Sequence, residues 1–416
     1  MILTTLTMAN VSLTAAWILF AVSYAVFAFG RLPGTKLDRT AVALIAAVLM
    51  FVFGVLDRRS ALGAIDFATI VLLFSMMLIV AGLHLAGFFD RVADMIAERI
   101  DPPHLLPGII FASGILSAFL VNDVVCLFMA PLVLRLSRQL KRPAVPMLLA
   151  LATASNIGSV ATITGNPQNI LIGSLSGIHY IRFLTHLGPV AVIGLLLDWA
   201  ILHWYTERKY KGNATEVDKP VHKPVRQETH LAWPLGVMAL VIAGFFAGYS
   251  PAPVAALGAA LMLLGPGIDR QRIFEEVDWS LLVLFMGLFL ILGGAERAGI
   301  TGKLLAVAQR GNLHDPFVLS GAVTLLSNVV SNVPAVMLLK GMIPGMAAPE
   351  RSWMLLALTS TLAGNLTITG SVANIIVVEK AREEAPISFW EYLQVGVPVT
   401  LATLTIGVGW LLYVAR

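Results

Sequence analysis

Long apolar runs separated by short polar connectors fill nearly the whole 416-residue chain. They approach or exceed the roughly 17 to 20 residues a helix needs to cross the hydrocarbon of a bilayer. Spans are expected at 13–30, 41–56 and 64–88, followed by an amphipathic segment from Asp90 to Asp101 with Val92, Met95, Ile96 and Ile100 on one face. The next apolar stretch is too long for one ordinary span. It is interrupted at Asn122-Asp123 and followed by Arg135, Arg138, Lys141 and Arg142. We read it as a re-entrant hairpin, 107–140, that enters and leaves on one side. Non-helical backbone survives at such depth only where protein or a water-filled cavity surrounds it. A segment at 147–177 is broken in its middle by the polar run Asn156 to Asn169, a further span covers 184–205, and 206–230 is a hydrophilic linker.

The same order then returns. Spans at 231–249, 252–266 and 278–298 precede an amphipathic stretch near 300–312, a second hairpin at 316–345 with Ser331-Asn332 at its tip, a second broken segment at 353–380 and a last span at 390–413. Thr367-Ile-Thr-Gly370-Ser-Val-Ala-Asn374 repeats Thr162-Ile-Thr-Gly165-Asn-Pro-Gln-Asn169. Ile65-Asp66 corresponds to Val277-Asp278, Asp101-Pro102 to Asp315-Pro316, and Val121-Asn122 to Ser331-Asn332. Residues 1–205 and 231–416 therefore each supply five spans and one hairpin. An odd number makes the second half start from the opposite face, so the expected fold is all-α and polytopic, with two inverted repeats, a plan typical of secondary transporters.

Composition agrees with the pattern. Hydrophobic residues make up 58% of the chain and charged residues 12%, about half the share usual in soluble domains. The net charge of +4 does not point to nucleic acid, because the basic residues sit in short loops beside apolar segments. The loops on the side opposite the N-terminus hold 19 of the 28 lysines and arginines. By the positive-inside rule that side is cytoplasmic, and the expected location is the cell's inner, cytoplasmic membrane with the N-terminus outside. The one cysteine, Cys126, excludes an intrachain disulfide and a multi-cysteine metal site. No G-x-x-x-x-G-K-[ST] loop is present, the eight histidines lack ligand spacing, and no cofactor or enzymatic activity is expected.

Ending a helix at mid-membrane leaves free N–H groups at one helix end and free carbonyls at the other. The N-terminal ends attract anions, while carbonyls can coordinate a cation. Gly158, Gly165, Gly364 and Gly370 permit the unwound turns, and Pro167 lacks a donor that would need a partner. Asn156, Thr162, Thr164, Asn166 and Asn169 in the first break, and Asn365, Thr367, Thr369 and Asn374 in the second, offer donors and acceptors suited to an oxygen-rich solute or a partly dehydrated ion. The tips Asn122-Asp123 and Ser331-Asn332 are expected to point at these breaks, and Asp123, facing Val333 in the repeat, makes them chemically unequal. Intramembrane carboxylates mark ion or proton pathways, so Asp123 is the coupling candidate. Asp198 either faces a cavity or is a helix-bonded neutral acid, His84 and Cys126 read as packing residues, and Lys340 as a side chain reaching the interface.

The order Val121-Asn122-Asp123, Ser155-Asn156-Ile157-Gly158 and Ala161-Thr-Ile-Thr-Gly165-Asn-Pro-Gln-Asn169, with its second-half counterpart from Gly364 to Asn374, resembles the ion-transporter superfamily. That superfamily contains arsenite-efflux permeases, citrate-type transporters, divalent anion/sodium symporters and the melanosomal P protein. The symporters' Ser-Asn-Thr tip triplet is complete at neither tip here, and an Asn-Asp tip is similar to the arsenite-permease and P-protein branch. The resemblance implies proton-driven export of arsenite or antimonite, one site per tip and broken helix, and a transport domain moving against a scaffold, often within a homodimer. The expected partners are a small inorganic or anionic solute and the lipid bilayer, and the coupling ion is H⁺ or Na⁺. A sodium- or proton-coupled permease for carboxylates or inorganic oxyanions, a Na⁺/H⁺ antiporter, and a channel or membrane scaffold stand as alternatives.

Overall fold

The computed structural model describes residues 2–32, 34–99, 101–210, 231–267 and 269–414. Among them the regular structure is helical throughout. The first repeat contains α1 (Ile2–Phe29), α2 (Arg39–Val52), α3 (Arg58–Ala64), α4 (Phe67–Leu85), α5 (Phe88–Arg99), the hairpin arms α6 (Leu105–Phe119) and α7 (Asn122–Gln139), the broken pair α8 (Ala144–Ser159) and α9 (Pro167–Ser176), and α10 (Tyr180–Tyr210). The second contains α11 (Ala232–Phe246), α12 (Pro251–Leu263), α13 (Arg270–Glu275), α14 (Trp279–Arg297), α15 (Ile300–Arg310), hairpin arms α16 (Pro316–Val330) and α17 (Asn332–Leu339), the broken pair α18 (Pro349–Ala363) and α19 (Val372–Ala381), and α20 (Phe389–Val414). Among the described residues, six helical segments are long and apolar enough to span a bilayer. The chain is a multi-pass membrane protein.

Local chemistry sets the boundaries. Asp38, Asp57, Asp66, Asp269, Asp278 and Asp315 each accept a backbone N–H from the first turn of the helix that follows, which satisfies donors left free at a helix start. The same device starts α4 and α14, the repeat-related spans after Ile65-Asp66 and Val277-Asp278. The short helices α3 and α13 carry no span periodicity and were not expected. The amphipathic α5 buries Phe89, Ala93 and Ile96 and leaves Met95 45% exposed, so its inward face is rotated from the one the sequence suggested. Asp94 on that face pairs with Arg135 at 3.5 Å. Ile100 and linker residues 211–230 lie outside the described residues, whereas 206–210 complete α10 instead of starting the linker.

Packing sorts the helices into two groups. In one, α2 lies along α14 and α4 along α12, pairing the repeats. Gly287 permits the first approach, since a β-carbon there would meet the Ala43 backbone at 2.8 Å. In the other, each hairpin packs on the first piece of its own broken helix, α6 on α8 and α16 on α18, while α10 lies along α20. The α6–α8 crossing is backbone on backbone, because a β-carbon at Gly158 would lie 2.0 Å from the Gly114 carbonyl oxygen. Small residues that let helices touch replace the hydrophobic drive that lipid cannot supply. The second arms bridge the repeats: α7 packs on both α8 and α19, and α17 on both α18 and α9.

Candidate transport site

Residues 160–166 and 364–371 are the two breaks, and their polar groups are satisfied by matched devices. Asn169 donates to the carbonyls of Ser159 and Thr162, both at 3.0 Å. Asn374 donates to the carbonyls of Gly364 and Thr367, at 2.7 and 3.1 Å. In each break the pair Thr162/Thr164 or Thr367/Thr369 sits 3.3 Å apart. Thr162 donates to the Ala118 carbonyl on α6, and Thr367 donates to Asn328 Oδ1 on α16 at 3.0 Å. Asn328, which also donates to the Ala363 carbonyl at 2.8 Å, was not singled out from sequence. Asn166 caps α9 by accepting from the Asn169 N–H at 2.8 Å, and Pro167 occupies the first helical position.

The breaks are also tied to each other. Asn156, 1% exposed, donates to Asn365 Oδ1 at 2.8 Å and Asn374 Oδ1 at 2.9 Å, and accepts from Asn122 Nδ2 at 2.9 Å and Ser371 Oγ at 3.0 Å. Its repeat counterpart, Thr361, accepts from Asn166 and Gln168, each at 3.1 Å. A position one turn before each break thus reaches into the opposite one. The first tip is held by the Asn122 N–H on the Gly165 carbonyl at 2.9 Å. The Asn332 amide nitrogen, turned to satisfy its neighbours, donates to the carbonyls of Ser360 at 2.9 Å and Gly370 at 3.2 Å. Ser331 turns the second tip with φ 79° and ψ 159°, backbone that non-glycine residues seldom adopt.

A cavity of about 360 Å³ lies where the two helix groups meet. Both tips reach it through Asn122, Asp123, Ser331 and Asn332, and the starts of α9 and α19 supply Pro167, Gln168, Thr369 and Ser371. The other wall is the end of α1 and the starts of α2 and α14, which bring Arg39 and Asp278. Asp123 lies beside the Ala373 backbone amide in the first turn of α19, so the carboxylate of one repeat faces the half-helix start of the other. Asn122 Oδ1 and Arg39 Nε are buried without partners, leaving one acceptor and one donor unused at the wall.

Of the residues singled out from sequence, Asn122, Asp123, Ser331, Asn332 and Thr369 line this cavity. Asn156, Gly158, Thr162, Thr164, Gly165, Asn166, Asn169, Asn365, Thr367, Gly370 and Asn374 lie behind it, in the hydrogen-bonded frame and the tight turns. The first break is buried throughout, whereas the second is partly open, with Thr369 exposed. Both tips meet at one cavity, where a separate site per tip was expected. Arg39, Gln168, Asp278 and Ser371 were missed as lining residues, and only their loop-to-helix positions hinted at them. Asp198 does not line the cavity and is fully buried. His84 stacks on Phe128 at 3.7 Å, Cys126 donates to Ser155 Oγ at 3.0 Å, and Lys340 pairs with Glu296 at 3.6 Å.

Known proteins share this architecture. Residues 24–363 match the profile of a family described as citrate transporter. The silicon efflux transporter LSI3 of Oryza sativa subsp. japonica is 29% identical over 464 residues, covering 94% of this chain and 95% of that protein. An uncharacterized transporter of Mycobacterium bovis is 30% identical over 415 residues, covering 93% and 96%. A putative transporter, arsB, of Dictyostelium discoideum is 25% identical, covering 89% and 87%. The crystal structure of the Alcanivorax borkumensis YdaH transporter superposes with a TM-score of 0.59 at 16% identity, covering 98% and 97% of the two chains, a likeness of fold.

Proposed function

The chain belongs to the citrate transporter family, and from that premise we propose that it is a proton-coupled exporter of a small neutral polyhydroxylated acid, arsenous or antimonous acid first. The observation that carries the proposal is Asp123. It is the carboxylate on a hairpin tip at a cavity shared by both tips, and it lies beside the Ala373 backbone amide at the start of α19. A proton on Asp123 removes the charge that favours this contact with a helix N-terminus. Protonation would thereby loosen the first tip from α19 and bias the site toward its other face.

Hydroxyl-bearing neutral acids both donate and accept, and they fit a wall of amides, hydroxyls and carboxylates without a change of net charge. Relatives with efflux of silicon or an arsB designation in their names support this solute class. The cavity opens beside the end of α1 and the starts of α2 and α14, the side the charge distribution assigns to the cytoplasm. In this reading the protein sits in the cytoplasmic membrane, N-terminus outside, with the site presented for loading, and the resemblance adds a homodimer.

A second reading has its own observation. Arg39 brings a cationic head with an unpartnered Nε to the cavity wall, which suits a carboxylate or inorganic oxyanion. Flux into everted proteoliposomes separates the two. We expect arsenite accumulation driven by an outwardly directed proton gradient, with the lumen acidic, lost in Asp123→Asn and retained in Arg39→Gln. Citrate or succinate movement stimulated by sodium, lost in Arg39→Gln and without arsenite flux, would replace the first reading by the second. Gradient-independent flux at channel rates would remove both.

A further inference from the structure

Asp198 lies on α10, 0% exposed, away from the cavity. Gly194, one turn earlier, brings α10 close to α8, since a β-carbon there would meet Ile157 at 2.7 Å. At this approach Asp198 Oδ2 is 3.0 Å from Thr153 Oγ1 on α8, and Asp198 Oδ1 has no partner. Thr153 Oγ1 is also 2.8 Å from the Leu149 carbonyl. One hydroxyl hydrogen cannot serve two acceptors. If the carboxyl were ionised, one of the two short oxygen contacts would hold no hydrogen. With a proton on Oδ2 both are filled: Asp198 donates to Thr153, and Thr153 donates to Leu149.

The surroundings agree. No lysine, arginine or histidine pairs with Asp198 among the described residues. The helices packed most closely on α10 are α6, α8, α11, α18 and α20, and the first three contain no titratable side chain. On α18, Glu350 pairs with Arg182 and is followed by Arg351 at the helix start. On α20, Glu391 accepts from Tyr205, Tyr210 and Lys209, and Tyr413 is 72% exposed. Tyr392, a fully buried phenol, is the remaining neighbour. A buried carboxylate with one hydrogen bond and no counter-charge is far costlier than the neutral acid.

The consequence reaches the transport site. The Thr153 backbone carbonyl accepts from Asn365 Nδ2 at 3.1 Å, and Asn365 Oδ1 accepts from Asn156. We propose that Asp198 is a permanently protonated positioning residue: as a neutral hydrogen-bond donor it fixes Thr153 on α8, and through Thr153 it sets Asn365 and the cross-repeat bonds behind the cavity. It is separate from the proton that drives transport.

Infrared difference spectroscopy on the full-length protein in detergent tests this. Subtracting Asp198→Asn from the wild type should reveal one carboxylic-acid C=O band, which persists as pH is raised well above the ordinary carboxylate range and moves in Thr153→Val. The melting temperature should fall in Asp198→Ala and in Thr153→Val, with no further fall in the double variant, and should be rescued to the wild-type value in Asp198→Asn. Absence of the band, or its loss on titration through neutral pH, overturns the proposal. So does an Asp198→Asn protein that fails to fold or melts with Asp198→Ala, because an amide supplies the same neutral donor. Both readouts are independent of which solute is carried.

Discussion

Replacing Asn156 by Leu preserves most of the side-chain volume and removes the central link between the repeats. Four hydrogen bonds disappear, those with Asn122, Ser371, Asn365 and Asn374. Side-chain bonds between membrane helices average about 0.6 kcal/mol each, so four give about 2.4 kcal/mol. Stranding Asn122 raises the cost. Its Oδ1 already lacks a partner, and its Nδ2 would lose Asn156. Asn365 and Asn374 keep their bonds to backbone carbonyls. We therefore expect about 3.5 to 5.5 kcal/mol, given that an unsatisfied buried polar group costs about 1–3 kcal/mol. Thr361→Val, the repeat counterpart, loses two bonds at 3.1 Å and one long contact to Asn169 at 3.5 Å, so it should cost about 1 to 2 kcal/mol on the same scale. Equilibrium unfolding in detergent, with far-ultraviolet circular dichroism as the signal, ranks the two. If Asn156→Leu unfolds with the wild type, or Thr361→Val is the more damaging, the frame does not bear the load assigned to it.

Two further substitutions probe the backbone. Gly158→Ala should cost at least the ~1–3 kcal/mol of an overpacked core, because its β-carbon would meet the Gly114 carbonyl oxygen at 2.0 Å; an unchanged melting temperature would contradict the close crossing of α6 and α8. Ser331→Gly should raise stability by about 1–3 kcal/mol, the usual cost of such strained backbone, measured by the same unfolding experiment; a destabilised variant would show that the Ser331 hydroxyl matters more than its φ of 79°.

The hairpins, the breaks and the duplication were legible because they are local. Asn122-Asp123 and Ser331-Asn332 interrupt apolar runs, and Gly165 and Gly370 recur at one spacing. What could not be read is what depends on the approach of distant helices. Nothing near Arg39 or Asp278 in the sequence says that the starts of α2 and α14 face the tips. Asn328 looks like an ordinary polar residue until Thr367 comes within 3.0 Å of it. Most of the polar run from 156 to 169 reads as a binding surface, yet the structure uses much of it to satisfy backbone that the break leaves bare. Only Pro167 and Gln168 of that run reach the cavity.

The reciprocal reach of Asn156 and Thr361 bears on how the protein is made. A ribosome delivers the first repeat to the membrane while the second is still unsynthesised. At that moment the Asn156 amide has neither Asn365 nor Asn374 to bind, and the side-chain amides of Asn166 and Gln168 lack Thr361. Unpaired polar groups are costly in hydrocarbon, so the nascent half must wait with water or an insertion factor in contact with its break. The seam closes only when the last third of the chain arrives, which makes two outwardly separable repeats a single unit of biogenesis.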